Sequence, residues 1–192
     1  FAALAVAAGA LGSVGCSSED SSRLTDIEAT DEQLANRAYV ISEESNDLFI
    51  VDLSNMSEVG NVDTGINGEA NSNHMAMLSQ DGSKIYVSAS AQNAVVVVDT
   101  RTLEVVRRSD LGLHPTHSEA CFDCAPYGRD ELWVMNEDGG GPAMEDEDGD
   151  SAGQGSISII DMATDEVVRT IVDDSFNVPH FARFSAGHAY IP

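Results

Sequence analysis

Basic residues are scarce in this chain. Its 192 residues hold 9 Lys and Arg against 33 Asp and Glu, a formal net charge of −24. Binding to a phosphate backbone draws on clustered cations, and the few here form no patch, so nucleic acid is excluded as a partner. The surplus of carboxylate gives a well-solvated surface that attracts cations or cationic partners. Cysteine is nearly absent: the 3 are Cys16, Cys121 and Cys124, and no Cys-x-x-Cys-His stands ready for covalent haem attachment. There is no Gly-x-Ser-x-Gly, no P-loop and no dinucleotide fingerprint, which leaves hydrolase chemistry unsupported. The apolar run from Phe1 to Gly15 falls short of the roughly 20 residues a membrane-spanning helix needs.

What is present is a repeat. A strand with an aromatic is followed by a strand ending in Asp and then by a third strand. Tyr39-Val-Ile-Ser leads to Leu48-Phe-Ile-Val-Asp52, Tyr86-Val-Ser-Ala to Val95-Val-Val-Val-Asp99, and Trp133-Val-Met-Asn to Ile157-Ser-Ile-Ile-Asp161. Third strands begin near Glu58, Glu104 and Glu166. Tyr39, Tyr86 and Trp133 are equally spaced. A four-stranded unit at a period of about 40–50 residues predicts an all-β fold, a β-propeller with four-stranded blades. Asp81-Gly82 between two apolar runs predicts a hairpin, because Gly tolerates the positive φ of tight turns.

The expected organisation is a targeting segment over 1–16, an acidic linker over 17–36, and a partial propeller over 37–192. Its blades are expected at about 37–65, 74–111, 117–172 and from 180 onward. Propellers close with roughly 4–8 blades, so about three blades read as a fragment. Only three strands are visible in the first blade, whose innermost strand is expected from a C-terminal segment. The pattern [LI]-[YW]-V, V-x-V-[IV]-D-x-x-T and E-V-V-x-x-[TI] over residues 38–192 resembles the YVTN family of bacterial propellers, which includes the YncE-like proteins. That resemblance implies the fold firmly and the activity weakly, since propellers host enzymes, binding modules and scaffolds alike.

Phe1 to Gly15 looks like the apolar core of a secretory signal, and Gly15-Cys16 resembles a bacterial lipobox, with Ser13 where Leu is usual. Lipidation of Cys16 is the expectation; ordinary signal cleavage and a structural strand are the alternatives. A lipid anchor would be the only membrane attachment and would place the protein in a bacterial cell envelope, facing the periplasm or the exterior. Cys121 and Cys124 then remain as a pair in an oxidising compartment, where disulfides persist. His114 and His117 add to them the outline of a zinc site, but along one extended strand His117 and Cys121 would lie about 13 Å apart. A local disulfide is therefore expected, with a reactive thiol pair or a bulge that brings all four residues together as the alternatives.

Three of the 5 histidines, His74, His117 and His180, fall at one register, where each inner strand begins. Inner strands line a propeller's channel, so these imidazoles should converge at one end of it, with His114 nearby. Such a set suits copper, zinc or iron; the other reading is hydrogen bonding to the next blade. The insertion Glu137–Gly155 should overhang the same face, and Asp146, Asp148 and Asp150 within it offer oxygen ligands for calcium or a solvated loop. The stretch His114-Pro-Thr-His117-Ser with Tyr127-Gly-Arg-Asp-Glu-Leu is loosely similar to the propeller of nitrous oxide reductases, which implies copper. His180-Phe-Ala-Arg-Phe-Ser-Ala-Gly resembles haem-d1-binding propellers, which implies His180 as an axial haem ligand.

Two functions follow from the sequence. The first is an envelope-anchored binding or scaffold module taking a protein or small-molecule ligand on the propeller face. The second is a redox protein with copper or haem at the hub. The anchor has its own test. Cys16→Ser should move the protein from the membrane pellet to the soluble fraction, and unchanged membrane association would contradict lipidation.

Overall fold

The computed structural model describes residues 29–65, 69–138 and 155–192. Cys16, Asp146, Asp148 and Asp150 lie outside the described residues. After a short helix α1 (Asp31–Ala35) the regular elements of the described residues are strands, apart from a single 3-10 turn at Ser90–Gln92. The first sheet comprises β1 (Arg37–Ile41), β2 (Asp47–Asp52) and β3 (Ser57–Asp63), paired in that order. The second sheet holds β4 (Asn73–Leu78), β5 (Lys84–Ala89), β6 (Ala94–Asp99) and β7 (Val105–Asp110). The third holds β8 (Leu113–Cys124), β9 (Arg129–Asp138), β10 (Ser156–Asp161) and β11 (Glu166–Val172). A last pair, β12 (Arg183–Ser185) and β13 (His188–Tyr190), opens a further sheet. Each sheet is an antiparallel meander, and the protein is an all-β propeller with four-stranded blades, about three of them within the described residues.

Side-chain alternation explains the valine runs. In β6, Val96 and Val98 pack with Leu48, Ile50 and Val62 of the first blade. Val95 and Val97 face the other way, onto Leu132, Val134 and Ile160 of the third. A strand buried on both faces has no polar side, so alternation disappears from its sequence. Beyond β9 and β10, Met135, Ile157 and Ile159 meet Ala182, Phe176 and Phe184. The core is therefore a series of layers between blades.

The Asp that ends β2, β6 and β10 makes the turn that follows. Asp52, Asp99 and Asp161 accept the backbone N–H two residues on, from Ser54 at 2.8 Å, Arg101 at 2.8 Å and Ala163 at 2.9 Å. Aspartate does this readily, mimicking a backbone turn. Four residues after each Asp the chain turns left-handed, at Met56 (φ 58°), Leu103 (φ 60°) and Asp165 (φ 60°).

Blades are also tied by polar contacts at one repeat position. Arg37 donates to the Thr100 carbonyl at 2.7 Å, and Lys84 to the Met162 carbonyl at 3.3 Å, each reaching from its blade into the next one's turn. Lys84 also pairs with Asp165 at 2.7 Å, and the fully buried Tyr86 hydroxyl donates to the same carboxylate at 2.7 Å. Burial, then the hydrogen bond to Asp165 and its charge, push the Tyr86 phenol well above its ordinary pKa, so it stays a donor. In the third blade Glu131 takes this position and binds Arg129 and Trp133 of its own strand.

Removing the shared carboxylate leaves both donors with the Met162 carbonyl, at 3.3 Å from Lys84 and 3.1 Å from Tyr86. Asp165→Ala should cost about 2–4 kcal/mol, below the full value for a buried pair because Lys84 keeps partial access to water. Tyr86→Phe should cost about 1.5–3 kcal/mol, the range for a bond to a charged acceptor. Arg107→Ala, which breaks an exposed pair with Glu166, should cost under about 1 kcal/mol. Urea denaturation reads all three, and equal losses would contradict the inter-blade tie.

Candidate functional site

Two of the three histidines expected at one register sit in irregularities of the ladder. In β4, Asn73 pairs with Ala89 and Met75 with Ser88, which leaves His74 as the extra residue of a bulge. In β8, Pro115 pairs with Asn136 and Ser118 with Val134, so Thr116 and His117 share one bulge. A bulge bends its strand and re-aims the side chain it carries. Ahead of each histidine the chain passes through a left-handed residue: Ser72 (φ 52°), His114 (φ 52°) and Val178 (φ 56°). For a β-branched Val that conformation is strained, and its recurrence marks one structural position in three blades.

The result is a stack of imidazoles. The His74 and His117 ring centroids lie 4.9 Å apart in an edge contact, and those of His117 and His180 lie 4.1 Å apart. His117 is the fifth residue of β8 rather than the first, because pairing between β8 and β9 continues to Leu113 and Asp138. Nδ1 of both His74 and His117 is buried without a hydrogen-bond partner. Unpartnered buried nitrogens are costly, and two in neighbouring rings are what a metal ion would satisfy. His114, the fourth histidine of the expected set, is in ring contact with none of them and turns outward.

Glu137 is the site residue that sequence reasoning passed over. It was visible only as the first residue of an acidic insertion, among many other carboxylates. The repeat does contain a signal: Glu137 follows Trp133 at the offset by which Ser90 follows Tyr86, and Ser90 reaches the neighbouring inner strand through the Pro115 carbonyl. Glu137 Oε1 is 2.6 Å from His180 Nδ1 and accepts from the Thr116 hydroxyl at 2.9 Å. His117, Glu137 and His180 offer ligand atoms that all lie within 4.8 Å of one another.

Those distances assign roles. Two atoms bound to one ion at about 2.0–2.2 Å sit about 3.0–3.5 Å apart, so the 2.6 Å contact between Glu137 and His180 is a hydrogen bond. Glu137 thus holds the Nδ1–H of His180 and leaves Nε2 for a ligand, the usual carboxylate–histidine arrangement behind a metal. Burial would raise the Glu137 carboxyl, but hydrogen bonds from His180 and Thr116, with the charges of His180 and His114, bring it below its ordinary value. Burial also lowers His117, with help from His180 and His74 and against the pull of Glu137. That favours the neutral imidazole, the form a metal takes.

Cys121 and Cys124 lie at the far end of β8 from His114, disulfide-bonded, with Cα atoms 5.6 Å apart. A cleft of about 390 Å³ there involves Trp133 and Phe184, and a groove of about 650 Å³ runs beside β1 and β4. A smaller cavity of about 230 Å³ reaches His117 alone of the three, and is lined also by Met75, Ser118, Glu119, Phe181 and Arg183.

No protein-family model matches the chain, and no curated protein matches it in sequence. Similar solved structures include hydrazine synthase from Kuenenia stuttgartiensis, at 17% identity and TM-score 0.60 over 90% of this chain and 43% of that one. Dihydro-heme d1 dehydrogenase NirN in complex with DHE is similar at 16% identity and TM-score 0.58, over 81% and 29%. A protein of unknown function from Bacteroides caccae is similar at 13% identity and TM-score 0.51, over 76% and 49%. The chain thus spans less than half the length of each, and the likeness is one of fold.

Proposed function

We propose that the protein is a redox protein of the bacterial cell envelope, with a copper or iron ion held at the propeller hub by His74, His117 and His180. The observation that carries this reading is the pair of buried, unpartnered Nδ1 atoms in adjoining rings. Such an ion, when bound, would supply one-electron chemistry. The chain's own groups bind and orient: the bulges in β4 and β8 aim two imidazoles inward, and Glu137 fixes the third. The notion of a plain binding or scaffold module, which the YVTN-type repeat also allows, leaves those two nitrogens without a role.

Haem is a second reading, favoured by one observation. His180 is 54% exposed in its side chain, with Nδ1 already held by Glu137, so Nε2 is open for an axial bond. One structural neighbour is also named as a dihydro-heme d1 dehydrogenase. Rings packed at 4.1 and 4.9 Å favour a bare ion over a macrocycle.

Protein purified from cells supplied with copper, iron and haem should carry stoichiometric copper or iron and show no Soret band. His117→Ala should lose the ion with unchanged circular dichroism. Glu137→Gln should weaken affinity about 10- to 100-fold, the usual loss when the partner that orients a ligating histidine is changed. Metal-free protein, or metal retained in His117→Ala, would overturn the hub site. A Soret band lost in His180→Ala would decide for haem.

A further inference from the structure

The buried hydroxyl of Ser118 also lacks a hydrogen-bond partner, and it belongs to the wall of the cavity of about 230 Å³ that reaches His117. Consecutive residues of a regular strand face opposite ways, but the irregularity of β8 between Pro115 and Ser118 lets His117 and Ser118 line one space. Met75 of β4 and Phe181 supply apolar wall. Arg183 reaches in from the next blade, donating to Glu119 at 2.7 Å and to the Ala182 carbonyl at 3.0 Å. Its guanidinium lies 5.2 Å from the centre of the Phe181 ring. Both hydrogen bonds leave from Nη1, so Nε and Nη2 keep N–H groups to donate. The volume falls below the roughly 300–1,000 Å³ of sites for drug-sized ligands, so the occupant is small.

Charge decides its kind. Imidazoles bring no negative charge to a bound ion, and Glu137, held against His180, offsets one unit. A divalent ion at the hub therefore keeps about one uncompensated positive charge in a partly buried place, which is costly. Glu119 does not cancel it, because Arg183 already matches that carboxylate. We propose that the cavity takes a small monoanion as a further ligand of the hub ion, its far end bonded by the Ser118 hydroxyl and the Arg183 guanidinium. This rests on the reading of the hub as a metal site. A carboxylate or pseudohalide of three or four heavy atoms has the size and the charge required.

Azide is the probe, because its bond to copper(II) adds a charge-transfer band to the visible spectrum. Copper-loaded protein titrated with azide should saturate that band. Ser118→Ala and Arg183→Gln, the second at an exposed residue, should each weaken azide binding about tenfold with copper content unchanged, the loss of one hydrogen bond to a charged group. Glu119→Gln should act the other way and tighten it, since it releases Arg183; damage to the fold would not give that sign. Arg107→Gln, on an outer strand, should change nothing. Equal azide affinity in wild type, Ser118→Ala and Arg183→Gln would overturn the anion site and leave the hub standing. So would copper-loaded protein that shows no azide band. Failure of the wild type to hold copper would overturn the hub and the anion site together.

Discussion

The structure depends on sheets that must be covered on both faces. A four-stranded sheet exposes two broad surfaces, and here each middle blade buries both against its neighbours, so β6 sends alternate valines to opposite sides. That demand fixes the rotation of one blade onto the next. Once it is fixed, equivalent residues of successive blades must fall on an arc about the channel. The inter-blade bonds of Arg37 and Lys84 reinforce the same rotation. Histidines far apart in the chain are brought to the hub by the packing of valine, isoleucine and leucine further out, and the bulges in β4 and β8 then aim two of them.

The hub then gathers groups that a compact hydrophobic core would reject. Three imidazoles in contact, two with a buried nitrogen unpartnered, carry a desolvation cost that the blade layers must bear. Left-handed backbone at Ser72, His114 and Val178 adds to it. Such costs concentrate where a protein binds something. Glu137 is the group that gives order to the set, since it fixes which nitrogen of His180 is free and places negative charge behind it.

The fold was legible because its determinants are local and repeated. Equal spacing of Tyr39, Tyr86 and Trp133, the aspartates Asp52, Asp99 and Asp161, and the valine run of β6 each state the same unit. The convergence of His74, His117 and His180 was legible in outline, from their places near the start of each inner strand, but the match is not one register. Asn73 faces Ala89 and Pro115 faces Asn136, so His74 corresponds to Thr116 and His117 lies one residue later. The bulges at His74 and in β8 were not legible, because an extra residue in a ladder leaves no mark in composition. Nor was Glu137, one carboxylate among many beside an acidic insertion. The exposure of His114 and its left-handed backbone are likewise not encoded in its spacing from His117.

The central claim is that imidazoles from three blades hold one ion at the hub. X-ray absorption at the copper edge of copper-loaded protein tests it directly, because imidazole rings give a multiple-scattering pattern that carboxylates and thiolates lack. The account predicts nitrogen neighbours at about 2.0 Å with the scattering of about three imidazoles. A shell of oxygen or sulfur alone, or of a single imidazole, would contradict it.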